Sequence, residues 1–583
     1  MNGRSGVFKF FLFLFLGSII LLQVLSMIQA DRLYEQLNSL VGRLESRDTS
    51  RMARSAEKPV ATTSPVHGEY PGVDGDWFVQ RIRGEPRTLS SISVESTIEG
   101  RAVTQRNIFE PLFYYNLNVE GVELQPVLAE SMSTSGDGLE ITIKLKEDIW
   151  FSDGVAITAD DVIFTYHTIQ DPNIDAADIR NYYANFKDVI KIDNKTVKFI
   201  LNEVYWKTIE AVGVFEVLPK HIYQYKDPAE FNKRRSNPVG SGPYVFEKWE
   251  VGQQIVLRRN ANYWGKKPRI DRLVFKIITN ETAALQALRS HQIDTMEPSS
   301  EQFAELSSDE QFKKEFYVIS YWEPSGGFAF TAWNFNTPFF KDRRVRLAMT
   351  SVINRQAIVE HLLKGYGKLI AGPFYIYGRQ NDPNIKPWPY DPEKAKQLLD
   401  EAGWIDHDGD EIRDKDGIPF RFKYSYPAGS DTVERIAKLL KDDAEKVGIE
   451  VIPDPLEWSI FIERLNDRHF EAATLSWAGT IESDPYQIWH SSQIQNRGNN
   501  IIGFNNLEAD KLIEQARRSL DTDKRYALYH QFDRILHEEQ PYTFLMTRPT
   551  FLLLDKRFEN VKVHKLGVDA LEWYVPKDKQ RYK

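Results

Sequence analysis

The stretch LKEDIWFSDGVAITADDVIFTY, residues 145–166, changes its hydrophobic period as it is read. Leading into it, Ile141, Ile143 and Leu145 alternate with Thr142, Lys144 and Lys146, the pattern of a strand with one buried face. Phe151-Ser152-Asp153-Gly154 then turns the chain, using residues that favour tight turns. Thr158 with Asp161 three residues later is an N-cap with an acid at N3, and Val162, Ile163, Tyr166 and Ile169 fall on one helical face beyond it. Local physics predicts strand, turn and helix here, and by itself no function.

Further signals lie on either side. Gly240 and Gly242 flank Ser241 ahead of Pro243, which predicts a tight turn feeding a strand at residues 244–247. Neither this glycine pair nor GYGK at 365–368 has the spacing and Lys-Ser/Thr end of a phosphate loop. Asp342 ahead of Val345, Leu347, Ala348, Val352 and Ile353 predicts a helix with an acidic start. Asp391-Pro392 is an N-cap and N1 pair for a helix through Leu399. DHDGDEIRDKDG, residues 406–417, puts Asp406, Asp408 and Asp410 at the first, third and fifth positions of a calcium-type loop, but has Glu411 and Gly417 where such loops need Gly and Glu. A polar hairpin is expected there, with a weak cation site as the alternative. The 11 histidines include no metal-spaced pair; no metal, cofactor or catalytic residue is expected.

The N-terminus reads as an address. Residues 10–28 are almost wholly apolar and follow Arg4 and Lys9. At 1.5 Å per helical residue they span roughly 28 Å, close to a bilayer core. Residues 1–30 therefore read as an anchoring transmembrane helix in the cytoplasmic membrane, with a cleaved signal as the alternative. Leu33, Leu37, Leu40 and Leu44 form a stripe two heptads long within residues 31–47, a short amphipathic or coiled-coil stalk in which weak self-association through 33–44 is the sharper reading. Residues 48–75 carry Thr, Ser, Pro and Gly with few large apolar residues and read as a flexible linker.

The 583 residues exceed one ordinary core, so two or more lobes are expected. A net charge of −9 argues against a nucleic-acid partner. The chain has no cysteine, which removes disulfides, thiolate metal sites and cysteine nucleophiles. With 13 Trp, 26 Tyr and 34 Phe it suits a large core or a cleft that grips organic ligands.

Read as a whole, residues 145–166 resemble the signature of the family 5 extracellular solute-binding proteins, the peptide- and nickel-type receptors of ABC importers. Other segments match in order: IFEPLFYYN (108–116), LQPVLAES (124–131), GSGPYVFEKWEVGQQIVLRRNANYW (240–264), TNETAALQALRSHQID (279–294), NFNTPFFKDRRVRLAMTSVINRQAIV (334–359), YDPEKAKQLLDEAGW (390–404) and GNNIIGFNNLEADKLIEQAR (498–517). The resemblance covers about residues 76–583 and implies an α/β, two-lobed periplasmic-binding-protein fold of the large type. Lobe I is placed at 76–332, with an extra subdomain at about 110–235, lobe II at 333–546, and the return to lobe I at 547–583. The implied function is an extracytoplasmic receptor that captures oligopeptides between its lobes and delivers them to ABC permease subunits by hinge closure. A membrane-anchored sensor of the same fold is the alternative reading, and a glycoside-acting enzyme a more distant one.

In peptide-binding members an extended ligand pairs with strands from both lobes. The resemblance places one such strand at LSWAGTIESDPYQIWHS (475–491), with Trp477, Ala478, Gly479 and Thr480 in the ligand-facing run. Thr480 stands where an Asp that meets the peptide amine is common, so Glu482 and Asp484 become candidates for that charge. The lobe I pairing strand is placed at Glu95, Ser96, Thr97, Ile98 and Glu99, with Glu99 as an acid candidate. Trp322, Trp333, Tyr375, Tyr377 and Trp388 are candidate pocket walls.

Overall fold

The computed structural model describes residues 74–582, apart from 235 and 496. The anchor, stalk and linker readings fall on residues 1–75, almost entirely outside the described part. Among the described residues no helix is long and apolar enough to cross a membrane.

Two large sheets organise the chain. A seven-stranded sheet runs in the order Phe316–Tyr321, Thr550–Asp555, Thr295–Met296, Trp77–Ile82, Arg272–Ile277, Gln254–Arg259, Tyr244–Glu250. Both ends of the described chain belong to this first lobe. Buried Arg557 pairs with Asp294 at 2.6 Å and with Asp76, whose carboxylate also accepts the backbone amides of Arg581 and Tyr582. A six-stranded sheet forms the second lobe, in the order Lys368–Leu369, Tyr542–Thr547, Phe328–Trp333, Ala472–Trp477, Arg421–Pro427, Glu450–Leu456.

Between residues 110 and 235 the chain builds a separate four-stranded sheet, Ala129–Thr134, Glu140–Leu145, Thr196–Leu201 and Phe186–Lys191. Ile141, Ile143 and Leu145 are buried and their neighbours are not. The helix Ala159–Gln170 begins with a capping box, Thr158 N–H donating to Asp161 at 2.9 Å, which satisfies amides the helix leaves unpaired. Gly240 and Gly242 lie against the Asn107 and Ile108 carbonyls, where a Cβ would come within 2.3 Å of backbone oxygen. Close approach, not phosphate binding, accounts for that pair.

The lobe boundary differs from the expected one. The chain crosses between sheets at residues 322–327 and again at 548–549, so Phe328–Trp333 belongs to the second sheet, not the first. The first crossing has six residues between strands, with one short turn at Pro324–Gly326, and the second has two; together they make a short two-stranded hinge.

Candidate functional site

The site is built around that hinge. The strand Ala472–Trp477 pairs along its whole length with Phe328–Trp333. On its other edge, pairing with Arg421–Pro427 covers only Ala472 and Ala473. From Thr474 to Trp477 this edge therefore meets no strand among the described residues. The chain then runs through Ala478 and Gly479, held against the hinge: the Gly479 amide donates to the Ser325 carbonyl at 3.3 Å. A Cβ on Gly479 would sit 1.8 Å from the Pro324 carbonyl oxygen, and one on Gly327 (φ +65°) 2.0 Å from that of Trp477. Only glycine allows both approaches. Thr547 Oγ1 donates to the Gly327 carbonyl at 2.8 Å and Thr550 Oγ1 to Glu323 at 2.5 Å, tying the second crossing to the first.

Trp477 lies near-parallel to Phe330, ring centres 6.0 Å apart, and Ala478 is exposed. Thr480 is exposed and its hydroxyl donates to the Glu482 carbonyl at 2.9 Å. The two proposed amine-reading acids are already engaged. Glu482, 6% exposed, pairs with Arg525 at 3.2 Å and accepts from Tyr526 at 2.5 Å. Asp484 pairs with Arg517 at 3.1 Å, accepts the Tyr486 amide at 3.1 Å, and accepts from Tyr205 of the first lobe at 2.6 Å.

That last bond belongs to a contact between the lobes. The segment 204–207, after the strand Thr196–Leu201, reaches the helices Leu507–Arg518 and Thr522–Glu539 of the second lobe. The Trp206 amide donates to the Arg517 carbonyl at 3.0 Å, and its indole donates to Tyr529 at 3.1 Å. Lys207 donates to the Glu482 carbonyl at 2.7 Å. The Arg517 guanidinium lies 4.5 Å from the Tyr205 ring, and that of Arg525 4.4 Å from the Trp206 ring, distances at which cation–π attraction operates. Burial, then the Asp484 carboxylate, push the Tyr205 hydroxyl far above its ordinary range, so it stays a donor. Reading the sequence missed this segment; an adjacent Tyr and Trp in a loop was the available signal.

Other expected residues fall elsewhere. Residues 95–97 form no strand: Thr97 caps the helix Ile98–Thr104, accepting the Gly100 amide at 3.2 Å, with Glu99 in its first turn. Within this stretch the Glu95 amide donates to Ser93 Oγ and the Ser96 amide to the Ser93 carbonyl, while the Val94 amide donates to the Asp175 carbonyl, and an acid beside a helix N-terminus is stabilising in itself. Trp333 is fully buried in the second lobe, its indole donating to Thr543 at 3.0 Å; it is a core residue and no pocket wall. Trp388 stacks on His537 at 5.0 Å and donates to the His537 carbonyl. It lines a cavity of about 590 Å³ with Lys368, Leu369 and Tyr390. Tyr375 and Tyr377 do stand together beside Trp322 at the hinge, with ring centres 5.7 and 5.6 Å apart. In the acidic loop, Asp406, Asp408 and Asp414 bring carboxylate oxygens within 4.8 Å of one another. Asp410 instead accepts the Ile412 amide, and Asp406 accepts those of Gly409 and Glu411, the bonding of a polar hairpin.

A family model, Bacterial extracellular solute-binding proteins, family 5 Middle, matches residues 123–499. The chain belongs to this family. It is 31% identical to the oligopeptide-binding protein AppA of Bacillus subtilis (strain 168) over 88% of this chain and 93% of that protein. It is 28% identical to heme-binding protein A of Haemophilus influenzae over 78% and 85%. Among solved structures, AppA of B. subtilis in complex with a nonapeptide superposes with a TM-score of 0.73 at 29% identity, over 87% of this chain and all of that one. NikZ of Campylobacter jejuni in complex with Ni(L-His) gives 0.72 at 25%, over 85% and 99%. The family 5 protein is a solute-binding protein and not an enzyme, which sets the glycosidase reading aside.

Proposed function

We propose that this family 5 protein is an extracytoplasmic receptor for oligopeptides that hands its cargo to an ABC importer. The observation that carries the reading is the strand edge at 474–477, which meets no strand among the described residues and runs into exposed Ala478 at the hinge. An extended peptide adds to such an edge through main-chain hydrogen bonds while its side chains stay loosely specified. The likeness to AppA supports the same class of ligand. Ligand bridging both lobes would favour the closed arrangement by the contacts made only there. Residues 10–28 supply the apolar run that would hold the receptor at the membrane.

The test is thermal unfolding of the protein against di- to nonapeptides, oligosaccharides, haem and nickel–histidine chelate. A bound ligand at a hundred times its dissociation constant adds about 2.7 kcal/mol to native stability. Stabilisation by peptides is expected. Stabilisation by sugar, haem or chelate alone overturns the peptide assignment and leaves the receptor role.

A further inference from the structure

We propose that Glu301, with Arg435 and Lys364, sets the affinity for cargo from outside the cleft: the three form a counter-contact between the lobes that is strongest when the lobes open, so that closing on a ligand works against it. The proposal rests on the reading above only in taking a peptide as the cargo.

The helix Ser300–Ser308 of the first lobe carries Glu301 in its first turn. The Glu301 carboxylate pairs with Arg435 at 2.9 Å and with Lys364 at 3.9 Å, both in the second lobe. Beside this cluster, Phe303 of the same helix stacks on Phe551 with ring centres 4.2 Å apart and meets Tyr366 of the second lobe edge-on at 5.0 Å. Phe551 lies two residues past the second crossing. Phe303 and Phe551 are buried, whereas the three charged side chains are about half exposed. The lobes therefore touch here through a dry aromatic contact near the hinge and a wet ionic one beside it.

Which way this contact works follows from the six-stranded sheet. Both crossings adjoin strands of that sheet, Phe328–Trp333 and Tyr542–Thr547, so the hinge lies in line with the sheet. Phe330 and Trp333 point to opposite faces of it, and different helices cover the two faces. Arg435 stands on the helix Asp431–Glu445, whose Ile436 and Leu440 pack with Trp333 and with Leu363, the neighbour of Lys364. On the other face, Ile513 and Tyr529, from the two helices that meet Tyr205–Lys207, pack with Phe330 and Trp477. Trp477 ends the strand edge offered to the ligand, so the cleft lies on that second side. A rotation about the hinge that brings the lobes together on the cleft side draws them apart on the Glu301 side, and opening does the reverse. At 3.9 Å Lys364 stands at the outer limit of an ion pair, and opening is the motion that brings it in. Exposed ion pairs are weak. Here, however, a few-fold change in the ratio of open to closed protein appears in full as a change in affinity, as long as the closed form is the minor one.

The experiment is calorimetric titration of wild type, E301Q, E301K, R435E and the charge swap E301K/R435E with a hexapeptide of neutral side chains, alongside small-angle scattering of each protein without peptide. E301Q is expected to tighten binding about two- to five-fold, the ceiling of one exposed pair. E301K adds repulsion of similar size and should tighten it by up to about thirty-fold, with an unliganded radius of gyration no larger than that of wild type. R435E should act in the same direction, and the swap should return affinity to within about three-fold of wild type. A purely structural role for Glu301 predicts the opposite, since a loosened protein binds more weakly. Peptide bound by E301K as in wild type or more weakly overturns the proposal and leaves the peptide reading standing. If no peptide binds any of the proteins, the peptide reading fails and the unliganded radius decides: a smaller radius in E301K, reversed in the swap, upholds the counter-contact, and an unchanged or larger one overturns it as well.

Discussion

At the hinge the crossing segment meets the second lobe backbone on backbone; at the Tyr205–Lys207 contact the two lobes meet largely through side chains. The hinge contact depends on what is missing, a Cβ at Gly327 and at Gly479. The other depends on large groups, two aromatic rings against two arginines and two carboxylates. A contact of the first kind tolerates almost no substitution, since backbone cannot step aside. A contact of the second kind can open and re-form, because its polar atoms have water as an alternative partner. The first therefore suits the axis of a lobe movement, and the second suits the surfaces that part and meet.

Gly479→Ala should have the largest effect. Its methyl would lie 1.8 Å from the Pro324 carbonyl oxygen, and the expected cost is about 4–5 kcal/mol, read from denaturant unfolding. A loss below about 1 kcal/mol would show that the hinge backbone yields.

Trp206→Ala attacks the other contact. It removes the donor to Tyr529 and the ring under Arg525. The expected loss is about 3–4 kcal/mol of interlobe attraction, the range of a buried aromatic anchor. It should appear as a larger radius of gyration in small-angle scattering, with a smaller fall in unfolding midpoint than Gly479→Ala produces. An unchanged radius would mean that the Trp206 side chain does not hold the lobes together.

A control that touches neither contact is Glu110, buried in the first lobe, where it accepts from Tyr263 at 2.5 Å and Trp264 at 3.0 Å. Burial pushes its carboxyl up to about 7 from an ordinary 4.5. Between those values the native chain holds a proton that the unfolded chain has lost. Stability from this group is thus full below pH 4.5 and falls by about 3 kcal/mol as pH rises to 7. Glu110→Gln should flatten that part of the slope and leave the share of Glu216 and Asp533, which burial also raises to about 7. Trp206→Ala should leave the slope intact.

These regions were not equally legible. The strand at 140–145 and the helix after Thr158 could be read because their determinants lie within a few residues of one another. Trp333 misled, although FAFTAW (328–333) is an uninterrupted run of apolar residues and Thr, the composition of a strand covered on both faces. Glu482 and Asp484 could not be judged from their own neighbourhood. The partners that occupy them, Tyr205, Arg517, Arg525 and Tyr526, arrive from other elements, Tyr205 from 279 positions away.

Thr480→Asp sharpens the comparison most gently. It adds an acid between the two contacts, at an exposed position whose hydroxyl serves only its own loop, at Glu482 and Ser483. Neither Gly479 nor Tyr205 would be disturbed, so unfolding should shift by less than about 0.5 kcal/mol, the usual scale for a surface change. If the cleft lacks only a free carboxylate for amine capture, affinity for a peptide with a free N-terminus should rise about ten-fold over its N-acetylated form. The wild type should treat the two alike. A wild type that already discriminates against the acetylated peptide would show that Glu482 or Asp484 leaves its arginine when ligand arrives, and that the side-chain contact between the lobes opens as part of binding.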